Sequence, residues 1–268
     1  MTRQRLRERL ESLYRLRNRP EHIGPDPLGF VRLWSEPADL ELAAVVAAVL
    51  AYGRVRQIHA TLTGIFERVG RPSRYLETRT ARQIGADFRD FRHRFNDGRD
   101  LTGLLVALQR ARDRHGSLLA CFARHDAAGA ETLLPALGGF VDELAGLPDR
   151  CPPFLLARPE RGSACKRWHL FLRWMVRCDA VDPGPWHDLG PHRLLVPLDV
   201  HMYRIGSALG FTKRRSADQR TALEVTAGFR QIAPEDPARY DFCLARSAME
   251  GDLAGFGIPD GRGGRQGG

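Results

Sequence analysis

The stretch DLELAAVVAAVLAYG, residues 39–53, is apolar on almost every side of a helix from Leu40 onward. A helix of that kind belongs at the centre of a protein or in a membrane. Its longest apolar run, Leu42 to Tyr52, is too short to span a bilayer. The rest of the chain must therefore wrap it, with Asp39 the expected cap and Gly53 the expected stop. Amphipathic segments of helical period are available to do so. RVRQIHATLTGIFERVG, residues 54–70, turns Val55, Ile58, Leu62, Ile65 and Phe66 to one face. Near the N-terminus Leu6, Leu10, Leu13 and Leu16 form a stripe, and arginines occupy the other faces. Further helices are expected over Phe30–Trp34, Asp100–Arg114 and Ala130–Leu144. SACKRWHLFLRWMVRC, residues 163–178, continues the series, with Trp168, Phe171, Leu172, Met175 and Val176 inward. Val200–Leu209, Ser216–Ile232 and a shorter helix after Pro237 complete it. No strand pattern of any length and no internal repeat stand out, so the expected fold class is all-α.

With 268 residues, 43% hydrophobic and 27% charged, the chain can bury a real core as a soluble protein. Proline- and glycine-rich connectors lie at 146–162 and 181–197. The arginine-rich opening MTRQRLRERL has no apolar signal region, so a cytoplasmic location and no membrane contact are expected. The 5 cysteines are widely spaced, odd in number and lack any C-x-x-C pair. Neither disulfides nor a structural metal is expected from them.

The net charge of +9 suits a partner with a phosphate backbone. Lys166 and Lys213 are the 2 lysines among 41 basic residues, leaving 39 arginines. A retained lysine can do what arginine cannot: lose its proton and attack carbon. Lys166 falls in the first turn of its helix, on one edge with His169, Leu170, Arg173 and Arg177. Cationic neighbours and partial burial both favour a neutral, nucleophilic amine. The alternative is a surface lysine at a helix start. Asp199, in VPLDVHMYRIGSALGF (196–211), stands where a helix N-cap belongs. A carboxylate anchored there could also face a cationic transition state. His201, two residues on, reads as a packed or hydrogen-bonded histidine before it reads as a ligand. The adjacent pair His187-Asp188, with His192 nearby, suggests instead an all-α metal phosphohydrolase.

LVPLDVHMYRIGSALGF, residues 195–211, resembles the V-D-x-H-v-x-R-v…L-G segment of helix-hairpin-helix DNA glycosylases, the endonuclease III superfamily. LAAVVAAVLAYGRVRQIHATLTGIF, residues 42–66, is similar to that superfamily's early helix-loop-helix. The usual hairpin L-P-G-V-G-x-K-T-A is replaced by RPERGSACKRW, and the four-cysteine cluster of the endonuclease III branch is missing. In these respects the chain looks more like the archaeal 8-oxoguanine glycosylase branch, and like a bacterial family carrying G-S-A-C-K-R and L-R-W-M-V-R segments, which stand here at 162–167 and 172–177.

The resemblance implies two helical subdomains with a cleft between them: 28–185 with the degenerate hairpin, and 1–27 plus 186–255 formed by both termini. Residues 256–268 are expected to be a disordered tail. It implies a glycosylase with AP lyase activity that needs no cofactor, with Lys166 as nucleophile and Asp199 as the carboxylate that faces the sugar. Double-stranded DNA carrying a damaged base or abasic site would be its partner, met by a monomer at the nucleoid. Tyr52, Gly53, Arg54 and Gln57 would lie against the substrate, together with Arg167, His201 and Tyr203. The Gly162 and Ser163 amides, at a helix N-terminus, would hold a backbone phosphate. Trp34 and Trp168 are further stacking candidates, Trp168 reading first as core. A DNA-binding module that kept the fold and lost the activity is the competing expectation.

Overall fold

The computed structural model describes residues 2–150, 152–253 and 256. The tail expected to be disordered lies outside them but for Phe256, as does Cys151. Among the described residues the helices are, in order, α1 (Arg3–Arg17), α2 (Leu28–Val31), α3 (Pro37–Val49), α4 (Val55–Val69), α5 (Pro72–Thr78), α6 (Ala81–Asp87), α7 (Gly98–His115), α8 (Leu118–Ala123), α9 (Leu134–Gly146), α10 (Lys166–Val176), α11 (Val200–Ala208), α12 (Gln219–Arg230) and α13 (Asp241–Glu250). Two 2-residue strands, β1 (Arg92–His93) and β2 (Asn96–Asp97), pair as an antiparallel hairpin. The fold is all-α.

Helix α3 is the axis of the molecule. Every residue from Asp39 to Val49 is buried. Helix α10 makes the most extensive packing with it, and α2, α5 and α8 cover its other sides. The alanines Ala43, Ala44, Ala47 and Ala48 keep α3 slim, so neighbouring backbones can approach closely. The expected cap is not where the spacing put it. Glu36 precedes the helix without a side-chain bond, and Pro37 supplies the first turn. Asp39 instead turns outward to α5, accepting hydrogen bonds from the Ser73 N–H at 2.7 Å and Arg71 Nε at 2.7 Å. Helix α3 also ends at Val49, short of Gly53. Gly53 sits at φ +103 in the following turn, a conformation that suits glycine.

Burial follows the expected stripes with two exceptions. Leu16 is 57% exposed and Val55 45% exposed, each at an end of its helix. The short elements α5, α6, α8 and the hairpin escape periodicity because none completes two buried turns. Helix α7 starts early, at Gly98, where an added Cβ would lie 2.0 Å from the Phe88 carbonyl oxygen; only glycine fits. The termini meet: α1 packs on α13, with Arg239 and the Tyr240 hydroxyl donating to Glu11. One continuous apolar cluster runs from Leu6 to Leu253. None of the described cysteines is in a disulfide, and no helix of the described residues is long and apolar enough to cross a membrane.

Candidate active site

Helix α10 begins with Lys166, and the residue before it is strained. Cys165 adopts the left-handed conformation (φ 44, ψ 36), which costs a non-glycine residue about 1 kcal/mol. The reversal turns the chain into α10 so that Lys166 opens on solvent while Trp168, Phe171 and Leu172 pack inward. Helix α11 begins after Asp199, and the two carboxylate oxygens of that residue divide their work. Oδ1 accepts the Met202 N–H at 2.8 Å, the N-cap bond. Oδ2 lies 3.3 Å from Lys166 Nζ. The side chains are 38% and 20% exposed, so both remain reachable from solvent.

This pair lines a cleft of about 550 Å³, within the roughly 300–1,000 Å³ of small-molecule sites. The walls come from the turn before α2, the α3–α4 turn, α10, the start of α11 and α13. Asp241, the first residue of α13, lies on the same wall and is a site residue that periodicity does not reveal. Burial pushes its carboxyl up to about 6; Arg173 opposes the rise and the Asp199 charge adds to it. Arg173 donates to Asp241 at 2.6 Å through Nη1, and to Asp182 at 3.1 Å through Nη2. Arg177 binds Asp236 at 2.8 Å and Asp179 at 2.7 Å, and also bonds Asp182. Both arginines and Asp182 are almost fully buried.

The cationic edge expected beside Lys166 is therefore neutralised. Its arginines are enclosed by four aspartates, because bare guanidinium charges could not be buried. His169 is neutral as well: full burial pushes it down to about 4. The charged group that faces Lys166 is a carboxylate.

The other expected contacts divide into two groups. Tyr52, Gly53 and His201 line the cleft. Arg54, which precedes α4, and Gln57, in its first turn, are exposed and do not line it. Arg167 lines the cleft, but its guanidinium is committed to the main chain. It donates to the Val49 carbonyl at the end of α3 and to the Phe154 carbonyl, stacking on Phe154 at 4.5 Å and Tyr52 at 5.2 Å. It thereby satisfies an orphan carbonyl at a helix C-terminus. The Tyr203 hydroxyl donates to the Arg214 carbonyl at 2.8 Å, which fastens α11 to the loop before α12. Gly162 is not at a helix N-terminus, since α10 starts at Lys166. Its N–H donates to the Pro159 carbonyl at 3.1 Å, and Ser163 pairs with Asp218 in an isolated bridge. Trp168 is core, at 1% exposure, and Trp34 packs partly buried against the same apolar cluster.

An aromatic surface near the cleft was not expected from spacing. Phe95, at the tip of the β1–β2 hairpin, is 71% exposed and packs edge-on to Phe154 at 5.7 Å. Phe154 packs in turn on Tyr52 at 4.8 Å. Arg94 lies over Phe95 and against Gly53, where a Cβ would be 2.9 Å from Arg94 Cδ. The signal in the sequence is RHRF, an aromatic set among arginines and histidine. His187 and Asp188 sit on a short 3-10 turn, 66% and 96% exposed, away from the cleft lining. So exposed a turn does not fix ligand geometry.

Residues 26–250 match the family model described as a protein of unknown function (DUF2400), and the chain belongs to that family. No curated protein and no solved structure matches it.

Proposed function

We propose that this DUF2400 protein is a DNA repair glycosylase with AP lyase activity, which excises a damaged base, an oxidised purine such as 8-oxoguanine, through a Schiff base on Lys166. The observation that carries this reading is the contact of Lys166 Nζ with Asp199 Oδ2, at 3.3 Å on the wall of a cleft large enough for a base. The damaged nucleotide leaves the duplex and enters that cleft. As the glycosidic bond breaks, its electron pair departs with the base, and Asp199 stabilises the positive charge left on the sugar. The Lys166 nitrogen bonds to C1′, one N–H proton going to the departing base and a second to the ring oxygen, and ring opening gives a Schiff base. Loss of a C2′ proton then expels the 3′ phosphate and cuts the strand.

The net charge of +9 provides sequence-independent affinity for the phosphate backbone. The exposed Phe95 has the character of a side chain that fills the gap a flipped base leaves. The protein would act as a monomer on DNA in the cytoplasm.

The test is borohydride trapping of the full chain on duplex DNA carrying 8-oxoguanine or an abasic site. A covalent adduct present in wild type and absent in Lys166→Ala is expected. Equal trapping in both removes Lys166 from the chemistry. Tight binding with no adduct on either substrate leaves the non-catalytic module.

A further inference from the structure

Apart from the Lys166 cleft, four side chains with metal-binding atoms converge where α7, α8 and α9 meet. His115 is the last residue of α7, Cys121 lies in α8, His125 follows α8, and Glu143 is on α9. Glu143 is held from both sides. His115 Nε2 lies 2.6 Å from its Oε1, and His125 Nε2 lies 2.8 Å from its Oε2. The donor atoms of His115, Cys121 and Glu143 all lie within 4.8 Å of one another. We propose that His115, Cys121, His125 and Glu143 are the ligands of a structural zinc ion.

The placement is built into the backbone. Gly116, at φ +85, ends α7 and lets the chain double back, so that Cys121 returns towards His115. Gly139 on α9 gives the His125 ring its room. A Cβ there would lie 2.5 Å from His125 Nδ1, so any other residue would push the imidazole off Glu143. Cys121 is completely buried, and the His115 and Glu143 side chains are only 9% and 15% exposed. The exposed Arg114 also approaches Glu143 Oε1, at 3.4 Å, and can swing out to water.

The donor set decides the ion. One sulfur, two imidazole nitrogens and one carboxylate oxygen match the ligands zinc takes in tetrahedral sites. Bonds of about 2.0–2.3 Å put tetrahedral ligand atoms roughly 3.3–3.8 Å apart. The donor atoms of His115, Cys121 and Glu143 lie no more than 4.8 Å apart, and His125, whose Nε2 rests 2.8 Å from Glu143 Oε2, would turn from that oxygen onto the ion as the fourth ligand. Charge balances too. A thiolate and a carboxylate offset the two positive charges of the ion, and the thiol proton leaves to solvent as the sulfur–zinc bond forms. With all four positions filled by protein, such a site is structural. Helix α8 has only 6 residues, too few to hold itself, and the ion would pin it between α7 and α9.

The test uses the full, untagged chain stripped with a chelator and titrated with zinc against a chromophoric indicator, then with cobalt. One equivalent is expected, with tetrahedral cobalt bands and a thiolate-to-cobalt charge-transfer band. Cys121→Ser should lose the charge-transfer band, and His125→Ala, at the wetter edge, should weaken zinc at least about tenfold. Zinc should raise the melting temperature of wild type by more than that of either variant at the same zinc concentration. Absence of a stoichiometric site in folded wild type, or the same cobalt spectrum in Cys121→Ser, overturns the proposal. Glu143 is then only the centre of a histidine–carboxylate cluster. Borohydride trapping at Lys166 is a separate readout and is unaffected by either result.

Discussion

Replacing Asp199 with Asn separates its work as a helix cap from the catalytic role proposed for it, because Oδ1 takes the capping bond and Oδ2 faces Lys166. The variant keeps an acceptor for the Met202 N–H, now at 2.8 Å from Oδ1, and asparagine caps about as well as aspartate. At the other position it exchanges an anionic oxygen 3.3 Å from Lys166 Nζ for an amide. Lys166 is 38% exposed, so the lost ion pair contributes only about 0.2–1 kcal/mol to folding. Total destabilisation should stay near 1 kcal/mol, a fall in melting temperature of about 2–4 °C for a chain this long. The chemical step should suffer much more. Removing a preorganised group that meets developing charge costs about 10²–10³ in rate, or about 2.7–4 kcal/mol. Single-turnover excision from a lesion duplex, run beside thermal denaturation, measures both. A folded Asp199→Asn variant that excises as fast as wild type would refute the catalytic role and leave Asp199 as a cap.

Asp182→Asn removes the carboxylate shared by two buried arginines, and should cost roughly 3 kcal/mol in chemical denaturation, since breaking a buried pair leaves charge uncompensated; a loss below about 1 kcal/mol would mean that the remaining aspartates suffice to balance both guanidinium groups. Asp241 gives a pH signature. Its carboxyl is raised from 3.8 to about 6 in the folded protein, so its contribution to stability is full below 3.8 and is lost as pH rises through about 6. The stability difference between wild type and Asp241→Asn should therefore change by up to about 3 kcal/mol between about pH 4 and 7, and a flat difference contradicts the shift. Phe95→Ala should leave stability within about 0.5 kcal/mol, because the ring is 71% exposed. If it stacks on DNA, fluorescence anisotropy should show a loss of about 1–3 kcal/mol in duplex affinity.

Local spacing was enough to identify α3, α4, α7 and α10, since residues three and four apart meet on one helix face whatever surrounds them. It also marked Asp199 as a cap, because that bond runs to an N–H three residues on. Asp39 carries the same local signal and is bonded elsewhere, to Arg71 and Ser73. A neighbouring helix offered it better donors, and nothing in its own segment reports them.

The arginines of α10 show the limit most clearly. Periodicity places Arg173 and Arg177 on one edge, and by itself that edge reads as positive. Their counter-charges come from Asp179 and Asp182 in the following loop, Asp236, and Asp241 on α13, so these two buried arginines add no excess positive charge to the edge. The sequence alone determined an all-α chain and its central helix, and it singled out Lys166, an amine of the kind that can form an imine, and Asp199, a carboxylate at a helix cap. Only tertiary packing brought Lys166 to Asp199 and set Asp241 beside them, because a helix encodes its own face through near neighbours, while the charge that meets that face arrives from residues far along the chain.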